Sequence, residues 1–188
     1  MACTDTIALE NLDFCPSDEV AAGVSEVGVY FSPLDKIETI AGVPALSAAT
    51  TNKEAATIDT AHTFTGDNGF VKVYINPDTG MVESTQVGEK GNMSFQNSFT
   101  GALQGTAAQV AGWIRNNKNR PGIWIIKERN GDVKQIGSEL SPAYFSEVTG
   151  TSGQAPGDRK ATTIKIMDTQ PYPAPEYAGT ITEFTPAV

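Results

Sequence analysis

The feature that most restricts this chain is a run of four apolar residues, Ile123, Trp124, Ile125 and Ile126, set between strong interruptions. Pro121-Gly122 precedes it and Asn130-Gly131 follows. The run is too short and too β-branched for a helix of its own, so it predicts a buried strand. Asn130-Gly131 offers the two positive-φ positions of a tight hairpin turn, which would return residues 133–137 antiparallel. That register sets Arg129 opposite Asp132 and Ile125 opposite Ile136, both favourable cross-strand pairs. It also sets Lys127 opposite Lys134, a repulsion that asks for a carboxylate from elsewhere. Upstream, Leu103, Ala107, Val110, Ala111 and Ile114 recur at helical spacing and predict an amphipathic helix over about residues 102–116. Asn116, Asn117, Lys118 and Asn119 end it, and Pro121-Gly122 blocks its resumption.

The remaining periodicities are those of strands. Residues 24–31 alternate, with Val27, Val29 and Phe31 on one side, until Ser32-Pro33 stops them. Residues 35–40 suit a short second strand. Residues 70–75 read as a strong strand, followed by a turn at 76–80 in which Pro77 presets φ and Gly80 takes the positive-φ position. Residues 81–87 return, and 93–99 alternate toward the helix. Beyond the hairpin, 149–160 form a Gly/Pro/Ser loop, 162–167 a strand, and 177–184 a last strand. Pro171, Pro173 and Pro175 keep the stretch between them extended and unpaired. About eight strands and one helix imply a mainly β fold, an antiparallel β-sandwich or flattened barrel with one flanking helix.

At 188 residues the chain can close one core, and a single domain over residues 1–188 is expected. Two segments stand apart from it. Residues 1–23 read as an extended N-terminal arm. Residues 41–68 hold seven Ala and six Thr, so they read as a long loop that orders against another subunit.

Charge is unevenly distributed. Residues 1–68 carry 11 acids against Lys36 and Lys53, whereas residues 69–188 carry 11 acids and 11 bases, so the net −9 lies entirely in the first third. No basic stripe for gripping nucleic acid is present. No run of about 18 apolar residues predicts a membrane span. The acidic N-terminus, without a basic residue, argues against an ordinary secretory signal. Cys3 and Cys15 read as free thiols of a reducing compartment, since a bridge between them would close only a small loop.

A search for chemistry returns little. His62, the only histidine, sits in the Ala/Thr-rich segment with no nucleophile motif around it. One histidine and two cysteines at unsuitable spacing predict no zinc site, and Asp59, Asp67 and Asn68 lack the spacing of a calcium loop. Residues 150–160 look like a phosphate loop but lack Gly-Lys-Ser/Thr and a following helix. Arg115, Lys118 and Arg120 cluster where the helix ends. They either complement its dipole or meet the acidic first third of a neighbouring copy, for which Glu54, Asp59 and Asp67 are candidates. Opposite charge on separate regions suits head-to-tail association.

Two blocks carry a resemblance. One is Cys15-Pro16, Ala22-Gly23-Val24, Tyr30-Phe31 and Leu34-Asp35-Lys36-Ile37. The other is Asn130-Gly131, Gly137-Ser138, Thr149-Gly150 and Gly157-Asp158-Arg159-Lys160-Ala161-Thr162-Thr163. Over about residues 14–184 the chain resembles bacteriophage tail tube proteins, and is similar to small structural proteins of phages infecting Bacteroidetes. The resemblance implies a β-sandwich with one flanking helix, a long loop and an N-terminal arm. It implies hexameric rings stacked into a conduit in the virion tail, assembled in the bacterial host cytoplasm. The partners would be other copies and other tail proteins, with DNA passing but not held. No cofactor, metal or catalytic residue comes with it. Other readings are a head–tail adaptor, baseplate ring or decoration protein, a carbohydrate-binding sandwich using Trp113, Trp124, Tyr144, Tyr172 and Tyr177, and a carboxylate-dependent hydrolase.

Overall fold

The structure, a computed structural model, describes residues 7–12, 21–155 and 157–185. Cys3, Cys15 and most of the expected arm lie outside the described residues. In chain order the elements are β1 (Val24–Pro33), a 3-10 turn (Leu34–Lys36), β2 (Ile37–Thr39), α1 (Asn52–Ala55), β3 (Thr57–Ile58), β4 (Thr63–Phe64) and β5 (Val71–Val73). Then come β6 (Met81–Glu89), β7 (Asn92–Gln104), α2 (Ala108–Asn117), β8 (Gly122–Glu128) and β9 (Val133–Ile136). The chain closes with β10 (Tyr144–Thr151), β11 (Ala161–Gln170) and β12 (Glu176–Tyr177).

These strands form a six-stranded sheet ordered β3-β12-β9-β8-β1-β5, a four-stranded sheet ordered β10-β11-β7-β6, and the pair β2-β4. All pairings are antiparallel except β12 with β3. The mainly β, sandwich-like architecture with a flanking helix is therefore present. Val29, Phe31, Trp124, Ile126 and Ile136 of the six-stranded sheet pack against Phe99, Leu103, Ile164 and Ile166 of the four-stranded one. Tyr30, Ile123 and Ile125 point the other way, into a second cluster with Ile37, Ala41, Ile58, Phe70 and Tyr177. The central strand β8 is thus covered on both faces. Ile123, Ile125 and Ile126 are 0% exposed and Trp124 1%, which is why its sequence is continuously apolar rather than alternating. Isolated bridges Ile75–Leu103 and Gly122–Ala143 join the two layers at their margins.

The helix starts later than its repeat suggests. Residues 101–104 belong to β7, where Gly101 pairs with Ile164 and Leu103 with Thr162, and Gly105 at φ +76° breaks the chain before α2. Leu103 therefore continues the apolar repeat by coincidence: its side chain is core because the strand puts it there. Trp113 joins Val110 and Ile114 against that core, while Ala111 is exposed.

The hairpin register is one residue from the expected one. Trp124 pairs with Ile136, Ile125 with Gln135, and Lys127 with Val133. Glu128 N–H donates to Asp132 O (2.8 Å) and Gly131 N–H to Glu128 O (3.1 Å). Among the described residues only Asp78 is a non-glycine with positive φ, so Asn130 is not in that region while Gly131 is, at +101°. This makes a three-residue turn with the glycine alone left-handed. It removes the Lys127–Lys134 repulsion and frees Arg129, which bonds Glu26 and Asp78 instead of Asp132. In the turn at 76–80 the positive φ likewise falls on Asp78 (+59°), not on Gly80.

Other boundaries moved. β10 had no expected counterpart, and β11 runs longer than 162–167. The expected last strand over 177–184 shrinks to β12 plus a bridge in which Phe70 pairs with Glu183. Residues 41–68 are woven into the subunit: β3 joins β12, β4 joins β2, and Thr51 caps α1 through its hydroxyl (3.2 Å from Glu54 N). Residues 57–64 of this expected loop therefore contribute strands to two different sheets.

Candidate assembly surfaces and a buried polar network

Arg115 occupies the last turn of α2, Lys118 its C-cap, and Arg120 the connection beyond, all exposed. Arg115 and Lys118 rim a shallow groove between α2 and β10, floored by Ala111, Ile114 and Val148. Arg120 lies outside that lining. Of the acids, Glu54 is committed internally: its carboxylate accepts from Thr50 N–H (2.8 Å) and Thr50 Oγ1 (2.7 Å), bonds that hold it below the usual carboxylate range. Asp59 and Asp67 are exposed. The six residues do not form one site. The cations follow a helix packed on the sandwich core, whereas the acids lie in the segment whose side chains join the cluster on the opposite face of the six-stranded sheet. Among the described residues the ion pairs are Lys36–Asp35 and the clamp of Arg129 on Glu26 (2.5 Å) and Asp78 (2.8 Å).

Sequence reasoning missed a buried polar network. His62 is 2% exposed, stacked on Tyr177 with centroids 5.1 Å apart and 7° between planes. Ala41 N–H donates to its Nδ1 (3.1 Å), so Nε2 carries the proton and donates to Gln135 Oε1 (2.9 Å). Burial pulls the imidazole pKa down, against the Gln135 hydrogen bond. Both ring nitrogens are thus spent within the fold. Gln135 Nε2 donates to Gly137 O (3.0 Å), and Gly137 N–H donates to Asp168 Oδ2 (2.5 Å). Asp168, 5% exposed, also accepts from Asn97 Nδ2 (2.9 Å) and Gln170 Nε2 (3.1 Å). Burial pushes its carboxyl above the usual range even though these bonds pull it down. The network ties the end of β9 to β7 and β11, and the 41–68 segment to β9. No sequence signal marks it, because its members are distant in the chain.

The loop resembling a phosphate cradle is closed by its own side chain. Asp158 Oδ2 accepts from Gln154 N–H and Ala155 N–H, both at 2.7 Å, which fills the donors a phosphate would need. Three of the five rings weighed for sugar binding are packed into the two cores. Trp124 and Tyr177 are buried on opposite sides of the six-stranded sheet, and Trp113 meets Phe31, Trp124 and Phe145 edge-on.

The four-stranded sheet presents its second face to solvent. Val82, Phe99, Ile166 and Phe145 point into the core, so the alternate cross-strand rows point out. Three of these rows are Glu147–Lys165–Thr100–Met81, then Tyr144–Met167–Ser98–Glu83, then Thr169–Gln96–Thr85. In these three rows two carboxylates and one ammonium stand among hydroxyls, amides and thioethers.

Among the described residues no group of His, Cys, Asp and Glu side chains could hold a metal ion, and no helix is long and apolar enough to cross a membrane. Comparison with protein families, curated proteins and solved structures finds no match to this chain.

Proposed function

We propose that the chain is a structural virion protein, a tail tube subunit whose hexameric rings stack into a conduit for the genome. The observation that carries this reading is the four-stranded sheet. Its strands reverse direction at each step from β10 through β11 and β7 to β6, and within it β10 and β6 pair on one side only. With an even number of alternating strands, β6 of one copy set beside β10 of the next continues the antiparallel order. Copies related by rotation can therefore extend a single sheet without a mismatch, which removes both open edges.

The outward rows would then face the axis. Their near-neutral hydroxyl and amide surface gives a polyanion little to hold, so DNA would slide rather than bind. Acids and cations on opposite faces of the subunit add a second, head-to-tail complementarity between rings. Electron microscopy of the purified chain at high concentration should show rings or tubes, and virion maps should place it in the tail. A chain that stays monomeric at all concentrations, or that maps elsewhere in the particle, overturns the proposal.

A further inference from the structure

We infer that the groove between α2 and β10 receives the N-terminal segment around Leu9 and Leu12 of a second copy of this chain. This deepens the reading above and rests on its self-assembly half, not on the tail location. The groove has an apolar floor of Ile114, Ala111 and Val148 and a cationic rim of Arg115 and Lys118. Neither cation is in an ion pair among the described residues. Access is open, since Ala111, Arg115 and Lys118 on α2 and Val148 and Gly150 on β10 are all exposed.

The occupant is defined by matching chemistry. Leu9 is 105% exposed and Leu12 94%, so these leucines gain nothing from their own fold, and apolar surface of that kind is stabilised by burial against a partner. Residues 1–23 carry Asp5, Glu10, Asp13, Asp18 and Glu19 and no Lys or Arg, complementary to a cationic rim. Glu10 Oε2 accepts from Asn52 N–H (3.2 Å) and Asn52 Nδ2 (3.0 Å). That contact holds the segment beside α1 rather than at α2 of the same subunit. A copy docked head to tail brings the two chemistries together.

The test uses the full chain. With Leu12 replaced by photoreactive benzoylphenylalanine, in a mixture of light and ¹⁵N-labelled protein, crosslinks should join position 12 of one isotope to α2 or β10 of the other. Crosslinks confined to one chain, or mapping elsewhere, overturn the inference. Charge exchange gives an independent readout. Arg115→Glu with Lys118→Glu should weaken self-association ~10-fold or more. Adding Asp5→Lys and Asp13→Lys, which leave the Glu10 anchor intact, should restore it. No weakening, or weakening without rescue, overturns the charge match. Rings or tubes that persist unchanged with Leu9→Ser and Leu12→Ser refute the docking while leaving the tube reading in place.

Discussion

The two sheets of this protein are finished to different degrees. The six-stranded sheet is covered on both faces by its own chain: the four-stranded sheet and α2 on one side, residues 34–64 and 177–181 on the other. The four-stranded sheet is covered on one face only, and its outer strands β6 and β10 are exposed along most of their length. A layer closed twice within the subunit sets stability. A layer left open on one face and at both margins is the layer on which contacts with other molecules can form.

Truncation should separate the layers most sharply. Trp124→Ala removes a side chain packed from both layers and is expected to cost about 3–5 kcal/mol, whereas Val148→Ala on β10 should cost less than about 1 kcal/mol. Denaturant melts of the two variants measure this, and equal losses would break the comparison. Next in size is Asp168→Asn, which turns one of two hydrogen-bonded acceptor oxygens into a donor. Two of the three donors converge on a single oxygen, so the loss should be about 1–3 kcal/mol at neutral pH.

The pH dependence sharpens the contrast further. The folded pKa of Asp168 is raised above its unfolded value, so its contribution is fully present below the unfolded pKa and is lost as pH rises through the folded one. Acidification through that range should therefore add stability to the wild-type protein in denaturant melts, a component absent from Asp168→Asn. His62 works in the opposite sense. Its folded pKa is lowered, so its contribution is full above the unfolded pKa near 6.5 and falls as pH drops from there through the folded value. His62→Gln should flatten that part of the stability profile in thermal melts across the range. Smallest is Arg129→Ala, which opens an exposed clamp. Its effect should be slight and should fade as salt is added, visible as a loss of salt dependence rather than of stability.

Legibility in the sequence followed burial. The Ile123 to Ile126 run was readable as a strand because both faces of β8 are core, so each residue reports the same environment. β10 was not, because nearly every residue is exposed and a register shift between Phe145 and Glu147 breaks what alternation remains. The helix was readable in kind and misplaced at its start, since Leu103 satisfies a helical period and a strand's inward position equally well. The turn chemistry was readable from Asn130-Gly131, but one residue of loop length moved every cross-strand partner. The candidate cations were found because a helix C-terminus concentrates them, and the acids because composition is skewed. Which of them lie free, and which, like Glu54, are spent inside the subunit, was not readable.

By itself the sequence determined that this chain is mainly β, where glycine and proline interrupt it, and that its net negative charge is confined to one third. Those are local properties, written in neighbouring residues. Only the tertiary structure decided which segments close the six-stranded sheet, and that a histidine at 62 would meet a glutamine at 135 while an aspartate at 168 meets the backbone at 137. The physical reason is that a polar side chain is tolerated in a core only when every hydrogen bond is supplied. Here the suppliers come from strands 31 and 73 residues away along the chain, a distance over which no local pattern can carry the information.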